Sequence, residues 1–361
     1  MHVLTDRNVG GAGRWLLNFL RYYNREQFLV KVVLPSDSEL ITLIEDSDVE
    51  IIRCDDLKDM SFDKGAIKPL QEIFKREAPD VVHTHASLSA RMAALAAKVP
   101  KSINTKHCME GAAGSTAKKM LRRGMNHRYS NCIIAVSNAV RKSMIAGGTN
   151  PKQIVTIANG VTPLKKLTAD EKKAVLAPYG AEDKKAVGIV ARLEEVKDHK
   201  TFLLAAQRVV AVREDIQFYI VGDGSLKEEL QKLSEELNIA KNVTFTGFLA
   251  EVEEIESALD LSVITSTSEA LCLSIIESMS AGIPAVGTDT GGISEVICHG
   301  VNGYLVPVGD DEALAERILN MFEDEEKYRS MCQQAEETVK EKYLAEKMTA
   351  RIERLYLEDK I

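Results

Sequence analysis

The first residues that could do chemistry are two glutamates, Glu269 and Glu277, eight positions apart. The apolar segment 261–265 predicts a buried strand, and apolar residues at helical spacing from Ile275 predict a helix. Glu269 then lies in the loop after the strand, and Glu277 lies one to two turns into the helix. At that helix start the N–H groups of residues 271–274 suit a phosphate, and Glu277 could accept hydrogen bonds from a ribose. Two ordinary glutamates are the alternative, and the spacing alone favours it.

Two cations form the second candidate group. Arg192 and Lys197 follow the apolar strand predicted over 186–190. At the carboxyl end of a strand they could converge on a pyrophosphate, since arginine offers a planar fork and lysine a point charge. Exposed loop charges paired with Glu194 and Glu195 are the equally weighted alternative.

The glycine loop Gly10–Gly13 follows the first predicted strand, and its backbone N–H groups could approach an anion closely. It fits the dinucleotide fingerprint only loosely. His107 follows the strand predicted over 102–105, while His83 and His85 end a neighbouring strand. A lone histidine is more often structural than functional, so His107 by itself indicates little.

The elements that must position these residues alternate between strand and helix through the whole chain. In a chain of 361 residues this pattern predicts two α/β domains, each a doubly wound, Rossmann-like parallel sheet, facing one another across a central cleft. A turn-rich break at 158–163 separates the halves. The predicted domains are an amino-terminal domain at 1–163, a carboxyl-terminal domain at 164–340, and a closing helix at 341–361 that packs back toward the first domain.

Composition places the chain among ordinary globular proteins, with 45% hydrophobic and 28% charged residues. No apolar run of transmembrane length occurs, and the amino-terminal residues lack the apolar core of a signal peptide. The six cysteines are scattered and form no metal-binding spacing, so we interpret them as reduced thiols in the cytoplasm.

Charge is distributed unevenly between the halves. Residues 1–160 carry 23 Lys and Arg against 16 Asp and Glu (+7), whereas residues 161–361 carry 23 against 38 (−15), which sums to the total of −8. Basic and apolar residues mix over 118–128, as in a helix on an anionic membrane surface. A solvated helix face is the equally weighted alternative. Nucleic-acid binding is disfavoured because aromatic residues make up only 5% and no stacking platform is visible.

Together these segments resemble the family-four retaining glycosyltransferases, which have the GT-B fold. The segments in chain order are Gly10–Gly13, Thr105–His107, Arg192 with Lys197, Glu269–Glu277 and Gly291–Glu295. They are spread over nearly the whole chain and follow the order of the family.

The resemblance implies a role for each site residue. His107, Arg192, Lys197 and Glu269 would form the catalytic group, with the two cations on the donor diphosphate, Glu269 on the sugar hydroxyls and His107 beside the donor sugar. The further donor-binding residues that it implies are Gly11, Gly13, Leu271, Cys272, Leu273 and Glu277. It also implies that no divalent metal and no cofactor besides the sugar donor is required.

Two positions depart from the family pattern. The loop after Glu269 continues as Ala270–Leu273 where glycine and phenylalanine are common, which leaves the choice of sugar open. Asp198 follows Lys197 where glycine is more common.

The implied activity is retaining transfer of a hexose or N-acetylhexosamine from a nucleotide-diphosphate sugar, with UDP favoured, to an acceptor hydroxyl. A saccharide or lipid-linked acceptor would fit the basic first domain, in a cytoplasmic enzyme peripheral to the inner face of the cell membrane and serving polysaccharide or glycolipid synthesis. A nucleotide-sugar epimerase or phosphorylase of the same fold is the alternative. A nicotinamide oxidoreductase is disfavoured because no acidic residue ends the second strand near Val33 and Leu34. A catalytically silent binding domain is the least favoured alternative, since it would not need these groups together.

Overall fold

The computed structural model of the protein describes residues 1–45, 47–111, 114–180, 183–249 and 251–358. These residues form two compact units. Unit 1 is Met1–Gly160 together with the segment from Ala345 onward, and unit 2 is Val161–Leu344. The chain passes from unit 1 to unit 2 between residues 160 and 161 and returns between residues 344 and 345. These boundaries lie a few residues from those expected at 163 and 340. The second lies later than expected because a helix continues through Lys342.

Unit 1 is built on one parallel sheet with the order β3-β2-β1-β4-β5-β6-β7. Its strands are β1 (His2–Val3), β2 (Lys31–Leu34), β3 (Glu50–Arg53), β4 (Val81–His85), β5 (Lys101–Lys106), β6 (Cys132–Ala135) and β7 (Ile154–Thr156). Its first six helices are α1 (Gly11–Tyr22), α2 (Leu40–Ile44), α3 (Lys64–Glu77), α4 (Leu88–Ala96), α5 (Thr116–Tyr129) and α6 (Asn138–Ala146).

Unit 2 is built on a second parallel sheet with the order β10-β9-β8-β11-β12-β13. Its strands are β8 (Lys185–Val190), β9 (Ile216–Val221), β10 (Val243–Gly247), β11 (Leu261–Ile264), β12 (Ala285–Thr288) and β13 (Gly303–Val306). Its helices are α7 (Ala169–Leu176), α8 (His199–Val210), α9 (Lys227–Glu236), α10 (Val252–Ala258), α11 (Leu273–Ser280), α12 (Ile293–Val296), α13 (Asp311–Met321) and α14 (Glu325–Lys342).

The last helix, α15 (Ala345–Leu357), returns to unit 1 and packs on α1. Met348, Ile352 and Leu355 lie at helical spacing and are buried in the same core as Trp15 and Phe19. This apolar stripe, rather than intrinsic helix propensity, holds the helix in place.

Each sheet has a topological switch point, which is a pair of neighbouring strands from which the chain continues toward opposite edges of the sheet. In unit 1 the chain leaves β1 toward one edge of the sheet and β4 toward the other, and in unit 2 β8 and β11 diverge in the same way. The loops after such strands separate and leave a crevice at their carboxyl ends. All four residues of β11 and of β12 are buried, as expected for parallel strands covered on both faces.

The doubly wound fold expected from the alternation is confirmed, but four short elements escaped sequence interpretation: β7, α6, α10 and α12. The helix α6 does carry a start signal, because Ser137 Oγ accepts a hydrogen bond from the Val140 N–H at 3.1 Å. Within the described part of the chain, no helix combines the length and apolar character needed to cross a bilayer.

Candidate active site

The switch point of unit 2 brings the loop after β8 against the loop after β11. Thr265 Oγ1 donates to the Lys197 carbonyl at 2.8 Å, and the Thr267 N–H donates to the Val196 carbonyl at 2.9 Å. These bonds fix the backbone on both sides of the crevice. Residues 68 to 72 positions apart in sequence therefore become neighbours.

Lys197 and Glu269 form an ion pair across this contact, with Lys197 Nζ donating to Glu269 Oε1. Ser266 Oγ donates to the same oxygen at 2.8 Å. The two side chains are only 19% and 13% exposed. Removing one partner of a mostly buried pair leaves an uncompensated charge, which costs roughly 3–5 kcal/mol where burial is complete. The pair thus locks the two loops together.

Arg192 lies on the same loop but remains exposed. Within the described ranges its guanidinium has no ion pair and no hydrogen bond. Glu194, which could have paired with it, instead accepts from Ser225 Oγ at 2.9 Å. A surface arginine held close to a buried ion pair is available to an anionic ligand.

The backbone beneath Arg192 is held by the turn after β9. The Leu193 N–H donates to the Asp223 carbonyl at 3.0 Å, and the Leu226 N–H donates to the Leu193 carbonyl at 3.0 Å. Gly222 has φ +136°, and a Cβ there would lie 2.2 Å from the Ala191 oxygen. The turn at 222–224 therefore supports the loop that carries Arg192, a role that the sequence did not reveal.

Asp198, the departure from glycine after Lys197, adopts a left-handed φ of +48°. Glycine is favoured there because it reaches this conformation without strain. Here the aspartate caps α8 instead, since its carboxylate accepts from Thr201 Oγ1 at 2.6 Å and from the Thr201 N–H at 3.3 Å. An N-cap contributes about 1 kcal/mol, which offsets the strain.

The amino terminus of α11 begins at Leu273, two residues later than the start expected at residue 271. Its N-cap, Cys272, makes no side-chain capping hydrogen bond, although its Sγ lies 3.5 Å from Ser274 Oγ, and the first turn carries no acidic residue. Leu271 and Cys272 are buried, and burial, reinforced by Glu269, raises the pKa of the Cys272 thiol to about 11. The amino terminus of α11 therefore presents backbone N–H groups beside an uncharged thiol. This environment favours the binding of an anion.

A glycine pair after β12 packs directly on the loop that carries Glu269. The Gly292 N–H donates to the Glu269 carbonyl at 2.9 Å. A Cβ at Gly291 would lie 2.1 Å from that oxygen, and one at Gly292 would lie 2.2 Å from the Ala270 oxygen. Only glycine permits this close approach of the two backbones, so the glycine pair supports the backbone of the loop that carries Glu269.

Glu277, the predicted ribose ligand, is the fifth residue of α11 and is 8% exposed. Its place one turn into the helix agrees with the spacing expected from the sequence. The two glutamates thus differ in setting, since Glu269 is paired with a lysine on a loop and Glu277 is buried on a helix.

In unit 1 the two predicted glycines have different surroundings. Gly10 is the N-cap of α1, and a Cβ at Gly11 would meet nothing within 4 Å. Gly11 thus faces open space, where a ligand can approach the backbone. Gly13 is buried inside the helix, and a Cβ there would lie 2.9 Å from Leu40 Cδ2. The packing of α1 on α2 therefore explains why residue 13 is a glycine, without any ligand.

His107 follows β5 directly, and its Nε2 lies 2.9 Å from His85 Nδ1. Its Nδ1 is buried and has no hydrogen-bond partner among the described residues. Burial, with a smaller contribution from Lys106, lowers the pKa of His107 to about 3. The ring is therefore neutral near pH 7 and does not serve there as a proton donor in its cationic form.

Two sequence-family models match the chain. Glycosyltransferase family 4 matches residues 9–163, and glycosyl transferases group 1 matches residues 171–338. The chain belongs to the family-four glycosyltransferases. The matched segments correspond to the two units, and the second contains every candidate residue described above for unit 2.

Two curated relatives of this glycosyltransferase cover most of its length. N-acetyl-alpha-D-glucosaminyl L-malate synthase of Bacillus anthracis is 28% identical over 304 residues, which are 82% of this chain and 79% of the relative. The UDP-Gal:alpha-D-GlcNAc-diphosphoundecaprenol alpha-1,3-galactosyltransferase of Escherichia coli is 25% identical over 348 residues, 90% of this chain and 87% of the relative.

Among solved structures, the complex of Anabaena HepE with UDP and glucose matches with a TM-score of 0.86. The alignment covers 99% of both chains at 22% sequence identity. At this identity the likeness establishes the fold alone, and the glycosyltransferase has the GT-B fold that the sequence predicted.

We expect Gly292→Ala to destabilise unit 2 by roughly 1–3 kcal/mol, because its Cβ would force the Glu269 loop to shift. Gly124→Ala is the control, since that helical position has open space around it. Urea unfolding measures both variants. If Gly292→Ala were as stable as the unsubstituted protein, the support assigned to this glycine would be wrong.

We expect the stability of unit 1 to fall as the pH drops below about 6.5. Burial lowers the pKa of His2, His83 and His85 well below the usual value and that of His107 to about 3. The unfolded state therefore takes up protons that the folded state does not. The contribution of the histidines to the free energy of unfolding is complete above about pH 6.5 and declines by up to about 1.4 kcal/mol per pH unit for each histidine as the pH falls.

The measurement is urea unfolding between about pH 7 and about pH 5, followed by hydrogen exchange in peptides of unit 1. His85→Gln should reduce the slope of stability against pH, whereas His127→Gln, at an exposed position of α5, should leave it unchanged. An unchanged slope in His85→Gln would show that the buried rings do not resist protonation.

Proposed function

We propose that this glycosyltransferase transfers a hexose or N-acetylhexosamine from a UDP-sugar to an acceptor hydroxyl with retention of the anomeric configuration. The observation that carries the proposal is the arrangement after β8 and β11. An exposed Arg192, a paired Lys197 and the uncapped start of α11 belong to loops that meet at one switch point of unit 2.

Donor binding is assigned by chemistry. A diphosphate carries the negative charge that an arginine fork, a lysine and a helix amino terminus stabilise. Glu277 accepts hydrogen bonds from the ribose, and Glu269 accepts them from the sugar while Lys197 holds its carboxylate in place. The backbone of 271–273 contacts phosphate or sugar. In unit 1, the uncharged ring of His107 suits contact with a sugar hydroxyl, and Gly11 leaves its backbone open to a ligand.

Two related proteins support UDP as the nucleotide. The Escherichia coli relative is a transferase from UDP-Gal, and the Anabaena HepE structure holds UDP and glucose. Both support the choice by analogy.

Retention follows from a front-face substitution. The bond between the anomeric carbon and the diphosphate oxygen breaks, the acceptor oxygen bonds to the same face of that carbon, and a phosphate oxygen takes the acceptor proton. Glu269 is a poor nucleophile for a double displacement because Lys197 and Ser266 already donate to its Oε1. Stabilisation of the departing diphosphate by Arg192, Lys197 and the helix dipole lowers the barrier.

This chemistry requires no resident metal ion, because fixed cations and backbone N–H groups offset the charge of the diphosphate. The only small molecules that we assign to the reaction are the nucleotide sugar and the acceptor.

The acceptor is a saccharide or a lipid-linked saccharide presented at an anionic membrane surface, and α5 is the helix that meets that surface. Its inner face is anchored by polar bonds: Arg91 Nη1 donates to Asn126 Oδ1 at 3.0 Å, and Arg122 pairs with Glu110 at 2.5 Å. Its outer face exposes Met120 (70%) and Leu121 (65%). Apolar side chains beside lysines and arginines fit the boundary between headgroups and acyl chains.

We expect Arg192→Ala to lower kcat by about 10²–10³-fold, as removal of one transition-state donor does elsewhere. Lys200→Ala removes an exposed cation from the nearby start of α8 and serves as the matched control. A thermal-shift screen of nucleoside diphosphates and their sugars first identifies the donor, and product anomers are then assigned by NMR. Full turnover of Arg192→Ala, an inverted anomer, or loss of turnover in chelator would each contradict a part of the proposal.

We expect the paired change Met120→Ser with Leu121→Ser to weaken binding to vesicles that contain anionic lipid by about tenfold or more. The reason is the loss of two apolar side chains that the membrane would bury. Leu29→Ser, at a position 87% exposed elsewhere in unit 1, controls for the loss of surface apolar area. Sedimentation with neutral and with anionic vesicles measures both. Equal binding to the two vesicle types would remove the membrane surface from the proposal.

A further inference from the structure

Six side chains of unit 1 form one hydrogen-bonded series that ends at His107, which we name the histidine chain. In order its members are Thr105, His83, Tyr356, His2, His85 and His107. Strand register assembles the series, since His2 on β1 lies beside His83 on β4, and His85 on β4 lies beside Thr105 on β5. Tyr356 comes from α15, so the last helix completes the series.

The first half of the histidine chain has two short contacts and one longer one. Thr105 Oγ1 lies 2.6 Å from His83 Nε2, and the Tyr356 hydroxyl lies 2.6 Å from His83 Nδ1. The same hydroxyl lies 3.3 Å from His2 Nε2. Tyr356 therefore joins two histidines that have no hydrogen bond to each other.

The second half leads from β1 to His107, after β5. His2 Nδ1 lies 3.4 Å from His85 Nε2, and His85 Nδ1 lies 2.9 Å from His107 Nε2. The Trp15 ring covers the series, with its centroid 4.6 Å from that of His85. His107 Nδ1 is the terminal atom and has no partner within the described residues.

All four rings are neutral near pH 7, because burial lowers each pKa far enough to exclude the cation. A neutral imidazole has one N–H and one lone pair. Once the Tyr356 hydroxyl donates to one histidine, it must accept a hydrogen bond from the other. The tautomer of each following ring is then determined. The chain therefore has only two complete proton orders, which place the proton of His107 on Nε2 or on Nδ1.

Two arguments favour the order with His107 protonated at Nε2. A phenol is a better donor than an imidazole N–H, so Tyr356 donates to the nearer nitrogen, His83 Nδ1. His2 then donates to Tyr356, His85 to His2, and His107 to His85. This order also leaves a buried lone pair rather than a buried N–H without a partner at His107 Nδ1, and orphaned N–H groups are the rarer of the two in proteins.

A shared metal ion is the competing explanation, since nitrogens of His2, His83 and His85 all lie within 4.8 Å of one another. Hydrogen bonding explains the cluster better for two reasons. Every ring nitrogen of these three already faces a polar partner, and no carboxylate in the described ranges hydrogen-bonds to them to balance a buried dication.

We propose that the histidine chain holds His107 as the Nε2–H tautomer with a bare Nδ1 that is enclosed in this structure, so that the ring has an acceptor, and no N–H, to offer a substrate hydroxyl. Tyr356, His2 and His85 are then positioning residues that act through His107. The catalytic consequence rests on the proposed glycosyl transfer, but the tautomer itself does not.

The test is nitrogen NMR of the full chain labelled with ¹⁵N-histidine, which distinguishes the two tautomers of each ring. We expect a single Nε2–H tautomer for His107 in the unsubstituted protein. In Tyr356→Phe the N–H of His2 loses its acceptor, so the reversed order competes and a second His107 tautomer becomes populated. Tyr328→Phe is the control, because it removes a hydroxyl that donates to the Asp260 carbonyl in unit 2.

A second pair of variants keeps the test decisive if Tyr356→Phe fails to fold. Thr105→Val removes the hydroxyl that accepts from His83, so the second His107 tautomer should again become populated. Thr105→Ser keeps the hydroxyl and should preserve the single tautomer. An Nδ1–H tautomer in the unsubstituted protein, an unchanged His107 in both Tyr356→Phe and Thr105→Val, or stoichiometric metal in the purified protein would each overturn the proposal.

Kinetics separate this proposal from the proposed function. Where transfer is measurable, Tyr356→Phe should lower kcat/KM about fivefold, the equivalent of one ordinary hydrogen bond. If no donor supports transfer but the tautomer shifts as expected, the proposed function fails and the histidine chain stands. If transfer is confirmed and the tautomer does not respond, the histidine chain fails alone.

Discussion

The contact between the loops after β8 and β11 is the constraint on which the candidate active site depends. Those strands are neighbours whose chains depart toward opposite edges of the sheet, so their loops need a tie to stay in contact. The Lys197–Glu269 ion pair, two backbone carbonyl bonds and the approach of Gly292 provide it. One charged pair thus joins the two loops, while Arg192 on the first of them stays exposed.

The two switch points share a topology but differ in electrostatics. In unit 2 the groups are ionised, and they are fixed by pairing or left at the surface. In unit 1 the equivalent place between β1 and β4 is occupied by neutral histidines, buried under Trp15 and linked by hydrogen bonds. Buried polar groups persist only when their partners are present.

Much of the fold could be predicted because a doubly wound sheet leaves a strong local pattern. Buried strands such as β9 and β11 read as apolar runs, and amphipathic helices such as α15 carry a continuous stripe. Short elements were missed, since three residues in β7 hold too little periodicity to be recognised. For the site, the residue types at 192, 197, 269 and 277 could be selected from their places after strands. Their pairing could not, because sequence spacing contains no distance between separate loops.

The sequence by itself determined the fold, through alternating hydrophobic periods, and the family, through segments in a fixed order. Tertiary structure alone decided that Lys197 pairs with Glu269 rather than with Glu194, and that Gly13 packs against Leu40. It also joined His107 to Tyr356, 249 positions away, through rings that burial keeps neutral. The physical reason is common to these cases: hydrogen bonds, charge pairing and pKa depend on distance and solvent exposure, which arise only when non-adjacent strands are brought together.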